Sequence, residues 1–219
     1  MKVQKDITAS FDIDCQKGFT PICPNELPVP GGHLIVDECN KNATKARLRV
    51  GSGDFHPVNA VWLATEEKPQ LTHLPFKNAN IAWNAHCMSG TKGAELLDGL
   101  PLPVEYDFFV FKGIAPDLHP FSPCYHDLEK KMSTGVIEWL KTNNIHTVIC
   151  GGLALEYCYG EGVKDLLRAG FSVIANLAST KGLTGPADQE KFIDEIIEVS
   201  EIFGYNFEVI NSADEIENI

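Results

Sequence analysis

The chain has 219 residues, 44% of them hydrophobic and 22% charged, with a formal net charge of -12. That length suits one domain with a single core rather than two. The acidity excludes nucleic acid and anionic membrane as partners, since either needs a basic face to release counterions. There is no eighteen-residue apolar run, and the opening "MKVQKDITASFDID" lacks a signal peptide's apolar centre, so a cytoplasmic location is expected.

Seven cysteines (Cys15, Cys23, Cys39, Cys87, Cys124, Cys150, Cys158) form no C-x-x-C pair and are odd in number. This pattern predicts reduced thiols rather than a disulfide framework. By default each is a small buried hydrophobe.

In chain order, "ITASFDID" predicts a first strand at about 7 to 14, followed by the Pro-rich loop "TPICPNELPVPGG". "HLIVDECNKNATKA" predicts a helix and "RLRVGSGD" a second strand. Residues 57 to 104, punctuated by five prolines, read as mostly irregular. "EYDFFVFKG" reads as a buried, central strand and "DLEKKMSTGVIEWLKTNN" as a helix. The strand "HTVICGG" and a helix over "LEYCYGEGVKDLLRAG", stopping at Gly170, come next. "FSVIANLAS", "PADQEKFIDEIIEVSEIFG" and "NFEVINS" complete the chain as strand, helix and strand. Strands alternating with helices of this length imply crossover units and a three-layer α/β/α fold around a mainly parallel sheet.

Ligands in open α/β sheets bind beyond the carboxyl ends of the strands. Asp12 and Asp14, Asp54 and His56, Lys112, and Cys158 lie at four such ends. Cys158 follows the turn-forming Gly151 and Gly152 at a strand-to-helix junction. There, free backbone N–H groups favour a thiolate and could hold an oxyanion. It is expected at the solvent end of its strand, whereas Cys150 lies inside the strand as a core residue. Lys112 ends an apolar run, and emergence into solvent explains it about as well as chemistry does. Asp12 and Asp14 share one strand face by their spacing, which does not choose between them. Asp54 and His56 form a D-x-H pair suited to one metal, and His86 could complete a facial set. His73, His119, His126 and His146 compete with it.

Together, "IDCQKGF", "GDFHP", "WNAHCMSGTKGAE", "FKG" and "GGLALEYC" resemble the isochorismatase-like cysteine hydrolases and, within them, the nicotinamidases or pyrazinamidases. The likeness runs from about residue 7 to the end, as one hydrolase domain over 1–219. It implies a triad of Asp14, Lys112 and Cys158, Asp14 being the aspartate two before Gln16 in the family's D-x-Q pattern. It implies one divalent metal on Asp54, His56 and His86, with zinc expected ahead of manganese or iron. Phe19 and Trp83 would sandwich a pyridine ring, and a cis peptide between Leu153 and Ala154 would aim the N–H groups of Ala154 and Cys158 at an oxyanion. The implied activity is hydrolysis of nicotinamide to nicotinate and ammonia, by a homo-oligomer whose partner is that small molecule. Two other readings remain: a metal-free amidohydrolase for a carbamoyl or ureido substrate, and an inactive scaffold. The sequence departs from the family in its loop "IAPDLHPFSPCYHD", where Phe121 and Ser122 stand for a Tyr-Ser pair at longer spacing, and in "CYGEG" from the nucleophile onward.

Overall fold

The computed structural model describes residues 1–219. Its regular elements are β1 (Lys2–Val3), β2 (Thr8–Ile13), α1 (Val36–Thr44), β3 (Leu48–Asp54), β4 (His73–Phe76), β5 (Ala79–Ile81) and β6 (Phe108–Lys112). They continue as α2 (Val136–Thr142), β7 (Thr147–Leu153), α3 (Gly160–Arg168), β8 (Ser172–Lys181), α4 (Pro186–Phe203), β9 (Phe207–Ile210) and β10 (Glu217–Asn218). Six strands build one parallel sheet in the order β6-β3-β2-β7-β8-β9. With helices on both faces, this is the expected three-layer fold. Outside it, β1 pairs with β10, and β4 with β5 form a small hairpin inside the otherwise irregular stretch 57–104.

The strand order explains which element covers which face. From β2 the chain moves outward to β3 and β6, then returns to the other side of β2 to add β7, β8 and β9. Parallel crossovers are right-handed, so reversing the direction of travel moves the connections to the opposite face. Ala9, Phe11 and Ile13 of β2 accordingly point into a core with Leu140, Val163, Leu166, Leu167 and Ile196 of α2, α3 and α4. The alternate residues Ser10 and Asp12 face α1. The reversal creates a topological switch point between β2 and β7, where the strand ends spread and a ligand cleft forms.

The structure departs from three sequence expectations about its elements. The strand carrying Lys112 is at the sheet edge rather than the centre, with Phe111 on its exposed side. The helix expected from residue 127 begins only at Val136. Before it, an Asp127 carboxylate oxygen accepts the N–H groups of Lys131 and Met132, both at 2.9 Å, and so holds a turn instead. The helix expected from Leu155 is broken: Tyr157 has φ -125 and ψ -106, and regular α3 starts at Gly160. Gly170 does stop it, with φ +99.

Candidate active site

The site grows out of strand register. Asp54 and Lys112 are directly opposed on the adjacent strands β3 and β6. On the same face of β3, two residues earlier, lies Ser52. Thus the rows that begin with the apolar Val50 and Val110 end in a hydroxyl, a carboxylate and an ammonium. Strand β2 stops at Ile13, and Asp14 adopts a left-handed conformation, φ 48. That breaks the alternation assumed from spacing. Asp12 points to the α1 side, where it pairs with Arg49 at 2.7 Å and accepts the Tyr106 hydroxyl at 3.0 Å. Asp14 turns instead to the cleft, where its Oδ1 accepts the Ser52 hydroxyl at 2.6 Å.

Lys112 is fully buried, so the reading in which it emerges into solvent fails. Its Nζ lies 2.5 Å from Asp54 Oδ1, 3.1 Å from Asp14 Oδ2 and 3.4 Å from Cys158 Sγ. It also donates to the Pro120 carbonyl at 3.1 Å. The ligand atoms of Asp14, Asp54 and Cys158 lie within 4.8 Å of one another, and the ammonium fills the space between them. Cys158 is not at the solvent end of its strand. It is 6% exposed, packs into the apolar core and reaches the cleft through its sulfur. Cys150 is the core residue expected.

Burial dominates the proton energetics. It pushes the Cys158 thiol well above its ordinary value, against the pull of Lys112. Burial likewise raises Asp14, opposed by Lys112 and Ser52 and assisted by Asp54. Lys112 resists the same desolvation because Asp14, Asp54 and Cys158 surround it, and it stays charged. For Asp54 burial is outweighed by Lys112 and His56, and the carboxyl is held well below the usual range. Burial thus favours the protonated thiol while Lys112 opposes it, and the same ammonium favours the ionised form of Asp54.

Gln16 is a residue whose role sequence reasoning missed. Its side-chain amide donates to the Asp54 carbonyl at 2.7 Å and accepts the Asp54 N–H at 2.7 Å, clamping the end of β3 to the loop after β2. The D-x-Q spacing used to locate Asp14 was the available signal.

Above the lysine stands a group of imidazoles. His56 Nδ1 donates to the Gly113 carbonyl at 3.0 Å, and His86 Nδ1 donates to the Asn84 carbonyl at 2.6 Å. Each bond leaves Nε2 as the lone-pair nitrogen. Gly113, at φ +65, permits this approach, because a Cβ there would come within 2.3 Å of the His56 ring. Asp54 Oδ2 is 3.4 Å from His56 Nε2. Burial and the neighbouring His56 lower His86 to about 3, so it is a neutral donor at physiological pH. The buried Nε2 of His56 has no hydrogen-bond partner. An unpartnered lone pair beside a carboxylate and a second free imidazole fits a divalent cation. His119, only a competitor in the sequence, joins the same cluster.

The pocket between these groups is lined by Phe19, Leu27, Trp83, Phe121, Ala154, Tyr157 and Leu183 together with Asp54, His86, His119 and Cys158. Phe19 and Trp83 both line it, with Phe19 5.4 Å from His86 and Trp83 stacked 5.9 Å from His119. Leu153 is buried behind it, and the Leu153–Ala154 peptide is cis as the resemblance implied. The free space is about 20 Å³, room for one water.

No family model matches the chain. The chain is 29% identical over 184 residues to a nicotinamidase of Acinetobacter baylyi, an alignment covering 82% of this chain and 84% of the relative. Its fold superimposes on a nicotinamidase/pyrazinamidase of Acinetobacter baumannii with a TM-score of 0.82 and 23% identity, covering 94% and 98% of the two chains. A pyrazinamidase of Pyrococcus horikoshii in complex with zinc matches with a TM-score of 0.71 and 26% identity, over 93% and 98%. Fold, spacing and these likenesses agree: the chain is similar in sequence and in fold to the nicotinamidases and pyrazinamidases.

Proposed function

We propose that this chain is an amidohydrolase, acting as one domain, that converts nicotinamide to nicotinate and ammonia through a thioester on Cys158. The observation that carries the reading is Lys112 Nζ held jointly by Asp14, Asp54 and Cys158 at the floor of an apolar, imidazole-lined pocket.

In this scheme the Asp14 carboxylate takes the thiol proton as Cys158 attacks the carboxamide carbon. Lys112 offsets the negative charge gained at sulfur and keeps Asp14 oriented. The raised proton affinity of Asp14 suits an acid–base group that must both accept and return a proton. The backbone N–H groups of Ala154 and Cys158 receive the oxyanion, each worth about 3 kcal/mol. Asp14 then protonates the departing nitrogen, ammonia leaves, and the thioester remains. A water that gives its proton to Asp14 hydrolyses the thioester to the acid and restores the thiol.

Asp54, His56 and His86 would hold a divalent metal, with zinc the proposed ion. When bound, it supplies a Lewis-acid position for the ring nitrogen of the substrate and so orients the carboxamide. Phe19 and Trp83 supply the flat walls.

The test is ammonia release from nicotinamide, benzamide and an N-carbamoyl amino acid, with and without a strong chelator. Release from nicotinamide far above benzamide, with KM rising under chelation, is expected. Hydrolysis of the carbamoyl compound alone, unaffected by chelator, would move the protein to the metal-free reading, and release from none of the three would leave the scaffold reading.

A further inference from the structure

His119 lies in the departing loop, seven positions beyond Lys112. It is buried, and its Nε2 has no hydrogen-bond partner. Its ring stacks on His56 at 5.2 Å and 18°, stacks on Trp83 at 5.9 Å and 15°, and meets His86 edge-on at 5.5 Å and 74°. The donor nitrogens of His56, His86 and His119 lie within 4.8 Å of one another.

Two hydrogen bonds fix this placement. The His119 N–H donates to the Asn78 carbonyl at 2.7 Å, and Trp62 Nε1 donates to the Leu118 carbonyl at 3.2 Å. Trp62 also packs edge-on against the rings of both His56 and His119, at 4.6 and 4.4 Å. The imidazole is thus anchored in the cluster by backbone bonds and aromatic packing.

An uncompensated buried imidazole nitrogen is costly, and the Nε2 atoms of His56 and His119 both lie buried without a hydrogen-bond partner beside the His86 ring. A cation between the rings satisfies both. We propose that His119 is a third imidazole ligand of the metal centre, alongside His56 and His86. This inference rests on the proposed metal site and adds a donor to it. Imidazole nitrogens at about 2.1 Å from one ion stand about 3.0–3.4 Å apart, so closure requires movements of about an ångström from the present spacing, and a shell of more than four ligands keeps a position for the ring nitrogen beside Asp54. Three imidazoles with one carboxylate nearby select borderline ions such as zinc, cobalt and copper over magnesium or manganese. They also tie the ion to Trp83, the wall of the pocket, through a stacked ring.

The simpler role for His119 is an aromatic wall only. His119→Phe keeps a flat ring between His56 and Trp83 but removes the donor, which separates the two. The purified wild-type chain, stripped and loaded with one equivalent of copper(II), should show nitrogen superhyperfine splitting from three imidazoles, and His119→Phe should show two. Zinc affinity measured by competition with a chromophoric chelator should fall at least about 100-fold in the variant, since even loss of an outer partner costs 10- to 100-fold. A two-nitrogen wild-type spectrum overturns the proposal without needing any variant to fold. So does unchanged zinc affinity in a folded His119→Phe. His86→Ala distinguishes the levels: if it weakens zinc binding and His119→Phe does not, only this inference falls, whereas a wild-type chain that binds neither ion removes the metal site itself.

Discussion

The two faces of the central sheet are built on different physics. Toward α2, α3 and α4 the strands present Ala9, Phe11, Ile13, Val148, Cys150, Val173 and Ala175, and the helices answer with leucines, valines and isoleucine. That face coheres through non-directional burial. Toward α1 the sheet presents Ser10, Asp12, Arg49 and Asn176, joined by hydrogen bonds, beside a small apolar cluster at Ile149 and Ile174. Arg49 bridges Asp12 and Asn40, at 2.7 and 2.9 Å, and Asn176 donates to Asn42 and Glu38, at 2.9 and 3.0 Å. Asn42 in turn donates to Ser179 at 3.0 Å. An apolar face tolerates exchanges of similar volume. A buried polar network specifies one arrangement and fails when any partner is removed. The cleft lies where the apolar rows end and Ser52, Asp54 and Lys112 replace the aliphatics, so catalysis is proposed at the boundary between the two regimes.

The largest expected effect separates the cleft from the core within that apolar face. Cys158→Ala should lower kcat at least about 10⁴-fold, as loss of a nucleophile does elsewhere, with a stability loss of about 1 kcal/mol, as for a core cysteine. Cys150→Ala should cost about 1 kcal/mol of stability and keep its turnover. Paired ammonia-release assays and melts test this, and a Cys158 variant with more than trace activity would reject the assignment. On the helix-covered face, Leu166→Ala should cost about 2–5 kcal/mol through lost transfer energy and a residual cavity, read as a lower urea midpoint at constant slope.

The opposite face should behave differently. Asp12→Ala should cost about 3 kcal/mol by stranding Arg49, while replacing both partners with apolar residues should recover most of it. A double-mutant cycle in urea measures that coupling, and additive losses would show that the network is not one unit. At the pocket wall, Trp83→Ala should raise KM about fivefold with kcat nearly kept, because stacking worth about 1 kcal/mol acts in ground and transition states alike. Unchanged KM with collapsed kcat would place Trp83 away from the ring.

The smallest effect belongs to Glu38, whose carboxylate accepts from Lys41, Asn176 and the Ala213 N–H. Burial opposes its ionisation, yet these donors lower it to about 2. A depressed carboxyl stabilises the folded state above its unfolded pKa, roughly 4.3, and that stability fades as pH falls toward the folded value. Glu38→Gln should therefore cost about 1 kcal/mol at pH 7 and flatten the loss of stability between pH 4.5 and 2, seen in urea midpoints across that range.

How much of this was legible depends on the physics of each part. Alternation of apolar strands with long helices set the layered architecture, because burial is additive along a segment and leaves a period. The motif order, as a resemblance, picked out the residues that converge around Lys112 and His56. Local competition defeated the reading elsewhere. Asp127 caps its own turn and delays α2, and Tyr157 breaks the helix expected from Leu155.

What the sequence by itself determined is the parallel sheet, the helix on four of its five crossovers and the cleft rim to which Asp14, Asp54, Lys112 and Cys158 belong. Only the tertiary structure decided that Lys112 is buried on an edge strand, how Asp14 turns into the cleft while Asp12 faces α1, and that His119 joins His56 and His86. Period and composition are local and survive in one dimension. The direction of a side chain past a strand's end, and the meeting of loops dozens of residues apart, depend on backbone geometry that only the packed chain imposes.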